Sequence, residues 1–231
     1  MAKLVWDQDG ERYIESGVSK CVLYVMEGNT YGEGVAWNGI TAINESPGGA
    51  DLTNLYADNI KYASLRAAET FAFSIEAFTY PDEWNECDGN KLPVAGVALG
   101  QQGRKAFGLC YKTQVGSDTD PSLENNYKLH IIYNSTASPS GRNYTTINEN
   151  PDAISFSWDA ESTPTPVTGN FKAVSTIVID TTKLENGKNN TNLKALEDML
   201  YGTDGTGGAT GTSATLPSPN TVLSTMGYTG Q

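Results

Sequence analysis

This sequence predicts a mainly β fold with antiparallel strands, and three observations support the prediction. Segments of alternating apolar and polar residues recur along the chain, the pattern of a strand with one covered face. Glycine is abundant at 24 of 231 residues, and with the many Thr, Asn and Ser residues it suits short strands joined by turns better than helices. Twelve Tyr, six Phe and four Trp supply the bulky side chains of a core and argue against disorder. The length suits one sizeable domain.

In chain order, Asp9-Gly10 is a hairpin cue between KLVW and RYIE. SKCVLYVM (19–26) reads as a strand, EGNTYGEG as a glycine-rich turn and VAW (35–37) as a further strand. From Asn38 to about Arg66 the alternation fades around Pro47-Gly48-Gly49, which predicts a long irregular segment over 39–66. Its apolar residues, Leu52, Leu55 and Tyr56 among them, are too many for a linker. The segment therefore folds against something, another subunit being one choice.

ETFAFSIEA (69–77) is a two-faced strand. Phe71, Phe73, Ile75 and Ala77 point one way, and Thr70, Ala72, Ser74 and Glu76 form a small, polar, anionic face on the other. Pro81, Asp82 and Glu83 fit a helix start that Asp88-Gly89 closes. VAGVALG (94–100), KAFGLCYK (105–112), YKLHIIYNS (127–135), AISFSWDA (153–160) and FKAVSTIVIDT (171–181) are further strands. NLKALEDMLYG (192–202) predicts a helix with an apolar stripe of Leu193, Leu196, Met199 and Leu200, capped by Thr191 or Asn192 and ended by Gly202. The layout expected is a domain over 1–202, a flexible Gly/Thr/Ser segment over 203–215 and a C-terminal arm over 216–231. That arm, with Leu216, Val222 and Leu223 as contacts, docks on its own body or on a neighbour. Truncation after Gly202 is expected to leave the domain folded but to impair self-assembly.

The net charge of −12 disfavours specific binding of nucleic acid or anionic membranes. Chemistry is hard to find. The single histidine, His130, sits on a strand with no G-x-S-x-G elbow in the chain, and reads as a strand-face residue. Cys21, Cys87 and Cys110 have no C-x-x-C spacing, so neither a disulfide framework nor a zinc site is signalled. SDTDPSLEN (117–125) lacks calcium-loop spacing, and GNTYGEG is followed by no Lys-Ser/Thr for a phosphate cradle. No enzyme, cofactor or metal is expected. MAKLVWDQDG lacks a basic-then-apolar leader and no run approaches ~18 apolar residues. The expectation is a product of the cytoplasm with reduced thiols and no membrane.

GEGVAWNGITAINESPGGAD (32–51), LYADNIKYASLRAAETFAFSIEAFTYPDEWNECDG (55–89), ALGQQGRKAFGLCYKT (98–113) and TINENPDAISFSWDAESTPTPV (146–167) together resemble the major tail, or tail-tube, proteins of long-tailed non-contractile bacteriophages. LKALEDMLYG and the LPSP segment resemble that family's C-terminal part.

The resemblance implies a β-sandwich with a flanking helix, assembled into stacked hexameric rings whose strands join into a β-barrel between subunits. It places Thr70, Ala72, Ser74 and Glu76 towards the lumen. It makes 39–66 a stacking loop that reaches the adjacent ring through Pro47, Gly48, Leu52, Leu55 and Tyr56. The implied partners are further copies of the chain, a tape-measure protein, tail-tip and terminator proteins, and DNA that passes through without specific binding. The implied location is the virion tail, with synthesis in the host bacterial cytoplasm. The other reading is a non-enzymatic β-sandwich adhesin or carbohydrate-binding module of a phage tail or cell surface. It needs an aromatic platform that the spread of Trp6, Trp37, Trp84 and Trp158 does not signal.

Overall fold

Among the described residues, thirteen strands and three α-helices form, most of them where the apolar alternation is strongest. In this computed structural model, which describes residues 3–119, 126–147, 153–205 and 210–230, the first strands are β1 (Tyr13–Glu27), β2 (Thr30–Tyr31), β3 (Val35–Ala36) and β4 (Ile40–Gly49). β5 (Leu52–Ala57), β6 (Ile60–Arg66) and β7 (Glu69–Ala77) follow, then helix α1 (Trp84–Cys87), β8 (Lys91–Val94) and β9 (Val97–Leu99). The chain continues through β10 (Phe107–Ser117), β11 (Asn126–Ala137), β12 (Phe156–Ser162), β13 (Thr176–Asp180), α2 (Thr191–Tyr201) and α3 (Pro219–Thr225).

The protein is mainly β, and its large antiparallel sheet runs β2-β1-β10-β11-β12-β7-β4, with β3 on β1 and β13 on β11. The sheet bends into a sandwich at β11. Leu129 to Ile132 pair with β13, but Ser135 to Ala137 pair with β12 on the same side. Asn134, with φ of 44°, lies at the switch; asparagine tolerates this left-handed region better than most residues. The corner turns β12, β7 and β4 over the face of β1 and β10.

Between these two layers lies an aromatic core. Phe71, Phe73 and Ile75 of β7 and Trp158 of β12 meet Leu23, Phe107 and Leu109 of the facing layer. The Phe73 and Phe107 rings touch edge to face across the gap at 6.3 Å. Trp84 of α1 plugs one end, with ring centroids 4.6 Å from Trp37, 5.0 Å from Phe107 and 5.4 Å from Trp158. The expected alternation of β7 holds throughout.

The opposite face of β1, β10 and β11 carries the alternate set, Val22, Tyr24, Cys110, Leu129, Ile131 and Tyr133, and α2 covers it with Leu193, Leu196 and Leu200. Asn190, not Thr191 or Asn192, caps this helix by accepting from the backbone of Asn192 and Leu193, and Gly202 ends it with φ of 74°. A buried charge fixes its seating. Lys112 Nζ donates to Glu197 Oε1, which also accepts from Tyr127 Oη at 2.6 Å. Tyr24 Oη donates to the Leu200 carbonyl at 2.5 Å.

Several expectations are corrected. KLVW does not pair as a strand with RYIE; β1 begins only at Tyr13. The 39–66 segment is not irregular. β4 pairs with β7 from Ile40↔Ala77 to Gly49↔Glu69, and β5 pairs with β6. Bonds from Ala50 N–H to Ala68 O and from Ala67 N–H to Asp51 O join the two ladders into one long ribbon. Its turn is Asp58-Asn59, with φ of 51° and 62°, the two positive values a tight two-residue hairpin needs. The strand expected over 171–181 is shorter, and Phe171 lies outside it.

The C-terminal segment belongs to the body. Leu216 and Val222 are buried in the helix-covered core and Leu223 is half-buried. Leu216 sits directly over Gly108, where an added Cβ would lie 2.2 Å from Leu216 Cδ2, so any side chain there would force Leu216 to shift. The 203–215 segment is tied at both ends. Thr203 and Thr212 exchange backbone bonds, and Ala214 O accepts from Gly34 N–H; residues 206–209 lie outside the described set.

Two outcomes are expected. Trp84→Ala lowers the unfolding free energy by about 3–5 kcal/mol, the cost of emptying a large aromatic site, as urea denaturation measures. Truncation after Gly202 uncovers Val22, Cys110 and Leu129 and lowers the melting temperature; an unchanged melt contradicts this docking.

Candidate assembly surfaces

The outer face of the β4-β7-β12 layer follows from the register. Ser74 of β7 lies between Asn44 and Asp159, Glu76 between Ala42 and Ser157, and Ala72 between Ser46 and Glu161. Thr70, Ala72, Ser74 and Glu76 thus lie side by side on the face opposite the aromatic core. Every neighbour from β4 and β12 is small or polar, and the charged members, Glu76, Asp159 and Glu161, are all acidic. Asn44 Nδ2 donates to Ser74 Oγ at 3.2 Å and to Glu76 Oε1 at 3.3 Å.

Among the described residues, no strand pairs with β4 on its outer side. Pro47 and Gly48 lie on this edge strand, opposite Phe71 and Thr70, and not at a loop tip. An edge strand offers unpaired backbone groups to any chain that can reach it. Pro47 lacks an N–H, and Glu45 points inward, two features that blunt casual pairing.

Glu45 anchors the edge. Its Oε1 accepts from Tyr111 Oη at 2.6 Å and lies 3.6 Å from His130 Nδ1. His130 is stacked flat on Tyr111 at 4.6 Å, and its Nε2 is 3.0 Å from Thr113 Oγ1. Thr113 donates in turn to Glu15 Oε1 at 2.5 Å, and Lys128 Nζ pairs with Glu15 Oε2. The His130 contact, aided by Tyr111, holds the Glu45 carboxyl below its ordinary range against partial burial. Burial pushes Glu15 upward, but bonds from Lys128 and Thr113 outweigh it and the net shift is also down. His130 is the strand-face residue expected, stitched into the join between β4 and the body.

Leu52, Leu55 and Tyr56 lie on the β5–β6 ribbon, which extends from the end of the β4–β7 ladder. They are 51%, 43% and 70% exposed, and Ile60, Tyr62 and Leu65 beside them are 65%, 76% and 58% exposed. An apolar ribbon so open to water marks an interaction surface. Sequence reasoning found these residues but missed the β8–β9 hairpin, whose Leu92, Val94, Val97 and Leu99 are also exposed.

Cys21, Cys87 and Cys110 are buried and free; burial pushes Cys87 and Cys110 up to about 12, which leaves them unreactive thiols. Among the described residues no group of His, Cys, Asp and Glu could hold a metal ion; most of SDTDPSLEN lies outside them. Among the described residues no helix is long and apolar enough to cross a membrane. Trp37, Trp84 and Trp158 are core residues, so they supply no exposed sugar platform.

No family model matches the chain, and no curated protein matches it. Among solved structures, a chain from the cryo-EM sheath–tube complex of an extracellular contractile injection system in its extended state is similar at a TM-score of 0.29 and 10% identity. The match covers 76% of this chain and 93% of that one. A likeness of that degree carries no argument, so function has to be read from the residues themselves.

The carboxylate cluster sets a pH dependence. Glu15 and Glu45 have depressed values in the folded protein, so their contribution is present above the unfolded carboxylate value of about 4.3 and is lost as pH falls through the folded one. The melting temperature therefore drops on the acid side, and Glu45→Gln makes that drop shallower in a thermal-melt pH series.

Proposed function

We propose that this chain is a structural subunit of a phage-type tail tube, assembling as hexameric rings stacked around a negatively lined lumen that conducts DNA to the host cell. The observation that carries the reading is the outer face of β4-β7-β12. Among the described residues it is a patch of small polar side chains whose charges are the carboxylates of Glu76, Asp159 and Glu161, and it ends at the edge strand β4. A wall facing a moving polyanion must not hold it. Each Lys or Arg on phosphate adds affinity through counterion release, whereas fixed carboxylates keep the polymer centred.

The edge supplies the means of assembly. Strand β4 pairs with the neighbouring subunit in the ring, so the layers of successive copies close into a barrel with no free edge. The β5–β6 ribbon reaches the adjacent ring and buries its apolar side chains there. Ring number, the tape-measure protein and the tail-tip and terminator partners follow from the resemblance to tail-tube proteins. Synthesis in the host cytoplasm and residence in the virion tail belong to the same reading.

Tubes assembled from Glu76→Lys, Glu161→Lys protein are expected to retain duplex DNA, with a salt slope that steepens by roughly 0.9 per phosphate neutralised. Wild-type tubes leave it free. Co-sedimentation of DNA with tubes across a salt series makes the comparison. Wild-type tubes that bind DNA as tightly as the variant contradict a repelling wall.

A further inference from the structure

The cluster that ties β4 to the body is one hydrogen short while its imidazole is neutral. His130 is 9% exposed. Its Nε2 lies 3.0 Å from Thr113 Oγ1, and its Nδ1 lies 3.6 Å from Glu45 Oε1. Thr113 has a single hydroxyl hydrogen, which goes to Glu15 Oε1 at 2.5 Å. Towards the ring Thr113 can therefore only accept, so Nε2 carries a hydrogen. On the other side Glu45 Oε1 already accepts from Tyr111 Oη at 2.6 Å, and a carboxylate has nothing to donate. A neutral ring with its hydrogen on Nε2 thus turns a bare lone pair towards Glu45. Nδ1 is fully buried and, among the described residues, has no hydrogen-bond partner, the rare condition that a second ring hydrogen removes.

Charge points the same way. The charged and titratable groups that face the ring are Glu15 of β1, Glu45 of β4, Tyr111 of β10 and Lys128 of its own strand. Lys128 Nζ pairs with Glu15 Oε2, so two carboxylates have one ammonium between them. Lys112 of β10 is engaged by Glu197 on the α2 side. On β13, Val178 lies opposite His130 and Asp180 opposite Lys128, with the Asp180 carboxylate accepting from Thr182. Cys21, in the core with Tyr111, is a thiol whose value burial raises, so it stays neutral. The Tyr111 ring lies flat on the imidazole, centroids 4.6 Å and planes 4° apart, and an aromatic face attracts a cation.

We propose that His130 is a proton-operated pin: with hydrogens on both ring nitrogens it bridges Thr113 of the body and Glu45 of the β4 edge, and loss of the Nδ1 hydrogen loosens β4. The pin needs Glu45 ionised, and the His130 contact holds that carboxyl below its ordinary range. It therefore fails only below the folded carboxylate value, closes above it, and opens again as pH rises through the titration of His130. β4 is held most firmly between the two. The pin is a property of the single subunit. Its consequence for assembly rests on the tube reading, in which β4 is the edge that meets the next copy, and an ordered edge pairs more readily than a loose one.

The test is nuclear magnetic resonance of the nitrogen-15-labelled full chain, kept dilute enough to stay unpolymerised; a single histidine gives a single pair of ring-nitrogen signals. Two protonated ring nitrogens are expected on the acid side of the His130 titration and, past it, loss of the hydrogen from Nδ1 alone. Hydrogen-exchange protection factors of the β4 amides fall by roughly tenfold with the same midpoint, the size of one charge-assisted hydrogen bond. In Glu45→Gln protein the ring still titrates but β4 protection no longer follows it, since an amide can meet Nδ1 in either state. A neutral ring that keeps its hydrogen on Nδ1, or wild-type β4 protection indifferent to the titration, overturns the pin. A pin that works in the subunit while tube formation ignores pH over the same range contradicts the use of this edge in the tube and leaves the pin standing.

Discussion

The core of three tryptophans and the apolar row of β7 fixes the direction of every other surface. Because side chains on a strand alternate, burying Phe71, Phe73 and Ile75 against Trp84, Trp158 and Phe107 commits Thr70, Ala72, Ser74 and Glu76 to the outside. A slip of one residue would bury Glu76 and expose two phenylalanines, so the register is strongly held. β12 and β4 inherit it: Asp159 and Glu161 come to lie beside β7's polar row, and Glu45 turns inward to Tyr111 and His130. The acidic face is thus a consequence of how the core packs.

The second core serves the same end by stiffening the inner layer. α2, Leu216 and Val222 cover the back of β1, β10 and β11, so both faces of the central part of that layer are buried. The ribbon and the β8–β9 hairpin stand in contrast. Neither is covered, and a two-stranded hairpin alone in water is marginally stable. The body is thus most stable at its two cores and least stable along its exposed apolar hairpins.

Much of this was legible in the residues. β7 and β12 each have one covered face, and their alternation names the buried members correctly; in β1, β10 and β11 both faces are covered, and alternation alone does not show the second. The ribbon was not legible as strand because it has no covered face to impose alternation. Irregularities between Ile40 and Ala42 and between Leu55 and Tyr56 also interrupt the period. Asp58-Asn59 was a usable turn signal, since both residues tolerate positive φ, but Pro47-Gly48-Gly49 drew attention to the wrong place. The docking of the C-terminal arm was invisible for a different reason: Gly108, which receives Leu216, lies more than a hundred positions away in the chain. The two polar faces of β7 and β12 were each apparent, whereas their juxtaposition required the register.

A cryo-EM reconstruction of the assembled protein at side-chain resolution tests the central claim most directly. The account predicts a hollow polymer whose bore carries Glu76, Asp159 and Glu161, with the free edge of β4 hydrogen-bonded to the next subunit. A polymer with that face turned to the exterior, or a bore lined by lysine and arginine, contradicts it.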